Sequence, residues 1–318
     1  MKSFKVLPLL MLGTILMGTG LGECPAQEFP NRPITIIINY GAGGSTDVAI
    51  RLFAKAAEKK LGVPLIITNK AGGGGVVGVT ELGRAKPDGY TIGALTIAAM
   101  SAVPSIQKVA YHPFDDFDYI CGFGRYLYGV YVKNDSPFKS IKDVVEGARM
   151  NPGKITYGSM SSGVAIAMKY VEAKENLKMT YIPLQSGQET ATVLLGGHVH
   201  LAIGTAVYQF IESKEIRAIA AATEERMPPP MHEVATMKEQ GYDVDITGWM
   251  ALGAPAGVPK ERLEIIFEAF RIAGNDPQVR TTMNKLMLSA PYISGEEVKR
   301  IYQRRSVEWK PLLEAMKK

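Results

Sequence analysis

Ile34-Thr35-Ile36-Ile37-Ile38-Asn39-Tyr40-Gly41-Ala42-Gly43-Gly44-Ser45-Thr46-Asp47 joins a β-branched run to a polar, glycine-rich turn. Five consecutive apolar or β-branched residues suit a short strand buried on both faces of a parallel sheet. Beyond the turn, Val48, Leu52, Phe53, Ala56 and Leu61 recur at helical spacing, with Arg51, Lys55, Glu58 and Lys59 on the opposite face. Ser45 or Thr46 suits the N-cap, and the carboxylate of Asp47 suits the positive end of the helix dipole. Glycines 41, 43 and 44 permit a sharp turn and leave backbone N–H groups uncovered. A strand, a glycine-rich turn and a helix start make an anion site, although a tight turn needing glycine only for its geometry reads the same way. A dinucleotide is disfavoured, because Thr46 stands at the third glycine position of G-x-G-x-x-G and the next strand, Pro64 to Thr68, ends in Asn69-Lys70 rather than an acid. No Walker lysine follows the glycines.

At the N-terminus, Lys2 and Lys5 precede an apolar stretch from Val6 to about Leu21, the pattern of a secretory signal. Cleavage is expected before Gln27, with 1–26 as the signal peptide and an end near Gly22 as the alternative. A lipid anchor at Cys24 is disfavoured, since Glu23 occupies a position where the lipidation signal wants a small residue. Cleavage at Gln27 leaves Cys121 as the one cysteine, with no internal disulfide, and it reads as a small buried hydrophobe. Without Lys2, Lys5 and Glu23 the chain keeps 34 basic and 30 acidic side chains, a net of +4. That mild excess, with no clustered basic run, is no nucleic-acid footprint. No stretch after the signal reads as a membrane span, and about 290 residues suggest two domains.

The alternation of strand and helix continues. A second glycine run, Ala71 to Gly75 with Gly78, follows the second strand and leads to a modest helix from Val76. Tyr90 to Leu95 is a third strand with Thr96 at its carboxyl end, where open α/β sheets bind ligands; Thr96 suits either a ligand contact or a helix cap. Phe117 to Val132 is extended and long enough to pass from one lobe to another. The design then repeats: Ser140 caps Ile141 to Met150, Ile155 to Tyr157 is a strand, and Gly158-Ser159-Met160-Ser161-Ser162-Gly163 precedes a helix from Val164 to Glu175. This loop matches neither G-x-S-x-G nor S-x-x-K, so it reads as a binding loop or a plain cap rather than a nucleophile site. Two such loops facing each other would clamp one carboxylate.

Several stretches together resemble the Bug family of periplasmic solute-binding proteins, the extracytoplasmic receptors of tripartite tricarboxylate transporters. They are Phe29 to Ile34, Tyr40 to Asp47, Asn69 to Gly75, Lys86 to Thr91, Asn151 to Ser159, Leu194 to Val199, Trp249, and Ala254 to Pro259. The resemblance runs in order along the whole mature chain. It implies an α/β, two-lobed periplasmic binding protein of the Venus flytrap, type II-like kind, with two crossover strands. Lobe one is expected over 27–124 and 248–318, lobe two over 125–247, with hinges near Gly122 to Tyr128 and Asp245 to Trp249. It also implies a carboxylate held mainly by backbone amides and hydroxyls: Gly43, Gly44, Ser45, Thr46 and Asp47 from one lobe, and Ser159, Met160, Ser161, Ser162 and Gly163 from the other, with Tyr40 along the wall. Thr205, Ala206 and one of Gln185 or Arg125 are expected at the ligand's distal end. This sequence departs from the family pattern at Asn39 (usually proline), at Pro183-Leu184-Gln185-Ser186 (usually Pro-Tyr-Lys-Gly), at His200 (usually aspartate) and at Ala235 (usually proline).

His198 and His200 are expected to alternate along a strand and share one face, but no nearby Cys, Asp or Glu completes a zinc set, so no metal is expected. Trp249 is expected in hinge packing rather than against the ligand. The reading is therefore a monomeric periplasmic receptor for a small carboxylated molecule, without cofactor or nucleic acid, partnered by the membrane subunits of a transporter. A sensor that signals through a membrane protein would use the same cleft. A secreted enzyme is the weakest reading, because no catalytic constellation is present.

Overall fold

The computed structural model describes residues 28–205, 208–286, 288 and 292–315. The signal segment, its cleavage point at Gln27, Cys24 and Ala206 lie outside these residues. In chain order the elements are β1 (Ile34–Ile38), α1 (Ser45–Leu61), β2 (Leu65–Asn69), α2 (Val76–Gly83), β3 (Thr91–Thr96), α3 (Val103–Ile106), β4 (Phe117–Tyr126), β5 (Tyr128–Lys133), α4 (Ile141–Met150), β6 (Thr156–Ser159) and α5 (Ser162–Glu175). They continue as β7 (Thr180–Pro183), α6 (Gly187–Leu195), β8 (Leu201–Thr205), α7 (Tyr208–Glu212), β9 (Ile216–Ala221), β10 (Gly248–Pro255), α8 (Lys260–Asn275), α9 (Pro277–Lys285), β11 (Ile293–Ser294), α10 (Gly295–Glu308) and α11 (Lys310–Ala315).

Two sheets result. The first has the order β11-β4-β10-β3-β1-β2 and the second β7-β6-β8-β5-β9. The isoleucine run forms β1, parallel to both β2 and β3, and Ile34, Ile36 and Ile38 are fully buried. The sheet as a whole is mixed, because β10 returns from the second half of the chain and inserts antiparallel between β3 and β4. The chain leaves this sheet between β4 and β5, at Leu127, and re-enters it at Gly248. Tyr126 and Tyr128 stack face to face across that passage, 5.3 Å between ring centroids. In the second sheet β6 runs parallel to β7 and β8, whereas β5 is antiparallel to β8 and β9.

Strand ends and helix starts are set by local chemistry. Ser140 and Asp143 form a reciprocal capping box on α4, and the Ser161 side chain caps α5 by accepting from Val164 N–H at 3.2 Å. The expected strand carrying His198 and His200 is not formed: both lie in the turn after α6, and β8 begins at Leu201. The left-handed Gly197 (φ 70°) curls the chain here, and the His200 ring is engaged by Thr156. Trp249 sits in β10 opposite Arg125 of β4, and its carbonyl accepts from the buried Tyr302 hydroxyl. It is a packing residue at the return passage. At the C-terminus α11 lies against α5 and α3, and Arg305 and Trp309 of the α10 end hold Asp245 by a salt bridge and by an indole N–H to its carbonyl. The last helices thus tie the two sheets together, a link the amphipathic periodicity does not show. Among the described residues no helix is long and apolar enough to cross a membrane.

Candidate functional site

The carboxyl ends of β1, β2 and β3 in the first sheet point at the loops after β6 and β7 in the second. Between them lies a cavity of about 200 Å³, lined by Tyr40, Gly72 to Gly75, Gln107, Met160, Ser161, Ser162, Tyr181 and Pro183 to Gln185. Tyr40 is buried at its floor, and Gly73, Gln107 and Gln185 are exposed at its mouth.

The two loops expected to face each other each meet a different partner. The turn from Gly41 to Ser45 abuts the start of α6: Gly41 N–H donates to the Gln185 carbonyl at 3.0 Å, and Ser45 Oγ lies 2.6 Å from Thr205 Oγ1. At Gly44, a Cβ would stand 3.3 Å from Gly187 N. The loop from Ser159 to Gly163 abuts the second glycine run and the turn after β3. A Cβ on Gly74 would stand 3.0 Å from the Ser161 Cβ, and one on Gly163 would stand 3.0 Å from the side chains of both Ala98 and Ala102. Tyr40 joins the two halves, its hydroxyl accepting from Thr96 while it lines the cavity opposite Ser161.

Not every expected contact residue offers its side chain to the cavity. The Thr46 hydroxyl bonds the buried Tyr126 hydroxyl at 2.7 Å, so it anchors α1 to β4. Asp47, 3% exposed, accepts from Gly43 N–H, Arg51 and Asn69, at 3.0, 3.0 and 2.9 Å. Burial pushes its carboxyl up, but the bonds from Arg51, Gly43 and Asn69 and the Arg51 charge outweigh that and leave it below the usual carboxylate range. Asp47 therefore holds the glycine turn from beneath. Ser159 Oγ donates to the Ser161 carbonyl at 2.7 Å and braces the second loop. Met160, Ser161 and Ser162 line the cavity, and so does Gln185, whereas Arg125 pairs in β4 away from it. Thr205 contacts Ser45 instead of the cavity lining. Ser162 and Gly163 open α5, where first-turn N–H groups have no intrahelical acceptor, so they can serve an anion.

Sequence reasoning did not place Gln107, Leu184, Tyr181 or the run Gly72 to Gly75 at the site. The glycines carried a signal, being a second glycine-rich turn between strand and helix. Tyr181 carried none: its position depends on β7 lying beside β6. Burial raises the Tyr40 phenol above its ordinary value, against the hydrogen bonds to Thr96 and Ser161, so it stays a protonated donor. Burial also pushes the Cys121 thiol up to about 12, and the residue is fully enclosed. Among the described residues no group of three or more His, Cys, Asp and Glu is placed to hold a metal.

Two α/β sheets, linked by two crossings and closed over a small cavity of mixed polar and apolar lining, define a solute-binding protein of the two-lobed kind. The fold is shared with the periplasmic binding protein BugD, at a TM-score of 0.83 and 25% identity over 91% of this chain and 98% of that one. MatC from Rhodopseudomonas palustris, determined with bound malate, has the same fold at a TM-score of 0.83 and 22% identity, covering 90% and 100% of the two chains. In sequence, residues 49–317 match the tripartite tricarboxylate transporter family receptor. A UPF0065 protein from the gbd 5′ region of Cupriavidus necator is 33% identical over 285 residues, 87% of this chain and 86% of its own. Protein BugT of Bordetella pertussis is 27% identical over 297 residues, 86% and 90% of the two chains. The chain belongs to this family of solute-binding receptors, and it is a receptor rather than an enzyme.

Proposed function

We propose that this receptor works in the periplasm, after removal of residues 1–26, and captures a small carboxylated organic molecule between lobe one (27–124 and 248–318) and lobe two (125–247). It would deliver that molecule, as a monomer, to the membrane subunits of a tripartite tricarboxylate-type transporter. The observation that carries this reading is the cavity of about 200 Å³ between the sheets, where the start of α5, the Ser161 and Ser162 hydroxyls and Tyr40 converge. Donors outnumber fixed charges there, which suits an anion held by dipoles and hydrogen bonds. A ligand bridging both halves favours the closed arrangement by the difference in its affinity for the two states.

The test is a thermal-shift measurement on the chain from Gln27 with malate, adipate, citrate, benzoate and glutamate. A ligand at about 100 times its Kd adds roughly 2.7 kcal/mol of stability. At least one acid is expected to raise the melting temperature, and its amide to raise it far less. No shift with any of the five, together with no acid released from the denatured protein, would overturn the proposal.

A further inference from the structure

Beneath the cavity runs a chain of buried polar groups with a fixed direction. Asn39, fully buried at the end of β1, donates from Nδ2 to Thr96 Oγ1 at 2.9 Å, and Thr96 donates to the Tyr40 hydroxyl oxygen at 3.3 Å. The Asn39 Oδ1 atom is buried without a partner. Turning the amide round would leave its two N–H donors unpaired instead, and buried orphan N–H groups are rarer than under-satisfied carbonyl oxygens. That difference favours the amide as donor. Thr96 has a single proton. With its oxygen receiving from Asn39, that proton goes to Tyr40, and the Tyr40 oxygen thereby becomes an acceptor. The Tyr40 proton is then free to point the other way, into the cavity that Tyr40 and Ser161 both line. Ser161 Oγ already accepts from Val164 N–H, so an acceptor brought by a ligand competes well for that proton.

We propose that Asn39 and Thr96 are positioning residues that commit the Tyr40 hydroxyl to donating into the cavity, making Tyr40 the side-chain donor to an unprotonated oxygen of the bound carboxylate. This rests on the carboxylate-receptor reading and adds a specificity residue to it. A hydroxyl with an unassigned proton accepts or donates equally well. One primed by a relay favours a carboxylate over a group that must itself donate, such as an ammonium or a hydroxyl hydrogen.

The experiment uses the mature chain and whichever of malate, adipate, citrate, benzoate or glutamate stabilises the wild type most, with Kd measured by calorimetry. Tyr40→Phe is expected to weaken binding about tenfold or more, as for a hydrogen bond to a charged acceptor. Thr96→Val, the same shape without the hydroxyl, should lose nearly as much, Thr96→Ser should remain within about twofold of wild type, and Tyr40→Phe with Thr96→Val should be no worse than Tyr40→Phe alone. Asn39→Leu should match Thr96→Val and replaces it if that variant does not fold. A merely structural role would neither be rescued by serine nor vanish in the double variant. Wild-type affinity in Tyr40→Phe, or losses that add in the double variant, would overturn the relay while leaving the receptor reading intact. A wild type that binds none of the five acids overturns both.

Discussion

The turn after β1 and the loop after β6 occupy equivalent places, each between a parallel strand and a helix start, yet they are held by different means. The first has glycine at its N-cap and no side-chain cap; its shape comes from Asp47 beneath, which grips Gly43 N–H and is gripped by Arg51 and Asn69. The second caps itself, Ser161 accepting from Val164 N–H while Ser159 braces the Ser161 carbonyl. The first loop therefore depends on a charge network, the second on neutral hydroxyls. The lesson is that two strand, loop and helix units of the same design in one molecule can be held by different groups, and should then differ in their sensitivity to pH and to mutation.

The largest effect separating them should come from Asp47→Ala, which leaves Gly43 N–H, Arg51 and Asn69 without their acceptor. A stability loss of about 2–3 kcal/mol is expected, read as a lowered denaturation midpoint with an unchanged slope. A loss under about 0.5 kcal/mol would erase the distinction between the loops. The same network sets a pH dependence. The folded carboxyl lies below its ordinary value, so its contribution is complete above about pH 3.9 and disappears as pH falls through the lower folded value. An acid titration of stability should therefore be shallower in Asp47→Asn than in the wild type over that window, while Ser161→Ala should leave its slope unchanged.

Ser161→Ala is expected to cost less, about 1 kcal/mol for a lost N-cap, seen as a lower melting temperature at every pH between 5 and 8. If it exceeds the loss in Asp47→Ala, the second loop is the more heavily tied of the two. The smallest effect belongs to Gln185→Ala. Its link to the first loop is the backbone carbonyl that receives Gly41 N–H, and its side chain is at the exposed mouth, so ligand-free stability should move by less than about 0.5 kcal/mol. A large drop there would mean that the side chain, and not the backbone, carries the contact between lobes.

Much of this was legible in the sequence where the cause is local. The run Ile34 to Ile38 forms the expected buried strand because β-branched residues suit a pleated, two-sided burial. Ser140 caps the expected helix, since a hydroxyl three residues before an N–H needs nothing but its own turn. The repeated strand, small-residue loop and helix is present in both sheets, after β1 and after β6. The side-chain partners of Thr46 and Asp47 were not legible for the opposite reason. Their residue types fit an anion site, but Tyr126 and Asn69, which engage them, are 80 and 22 residues away. His198 and His200 share no strand face because Gly197 turns the chain before β8 begins.

The sequence by itself determined the alternating strands and helices and the two glycine- and serine-rich loops, since periodicity, capping and turn chemistry act within a few residues, and its resemblance to a known receptor family implied the two-lobed fold. Only the tertiary structure decided which groups meet across the cleft: the first turn against the start of α6, the second loop against Gly72 to Gly75, and the direction of the hydrogen bonds from Asn39 through Thr96 to Tyr40. Those pairings depend on where two separate sheets come to rest against each other, which is set by the packing of distant side chains and leaves no periodic trace along the chain.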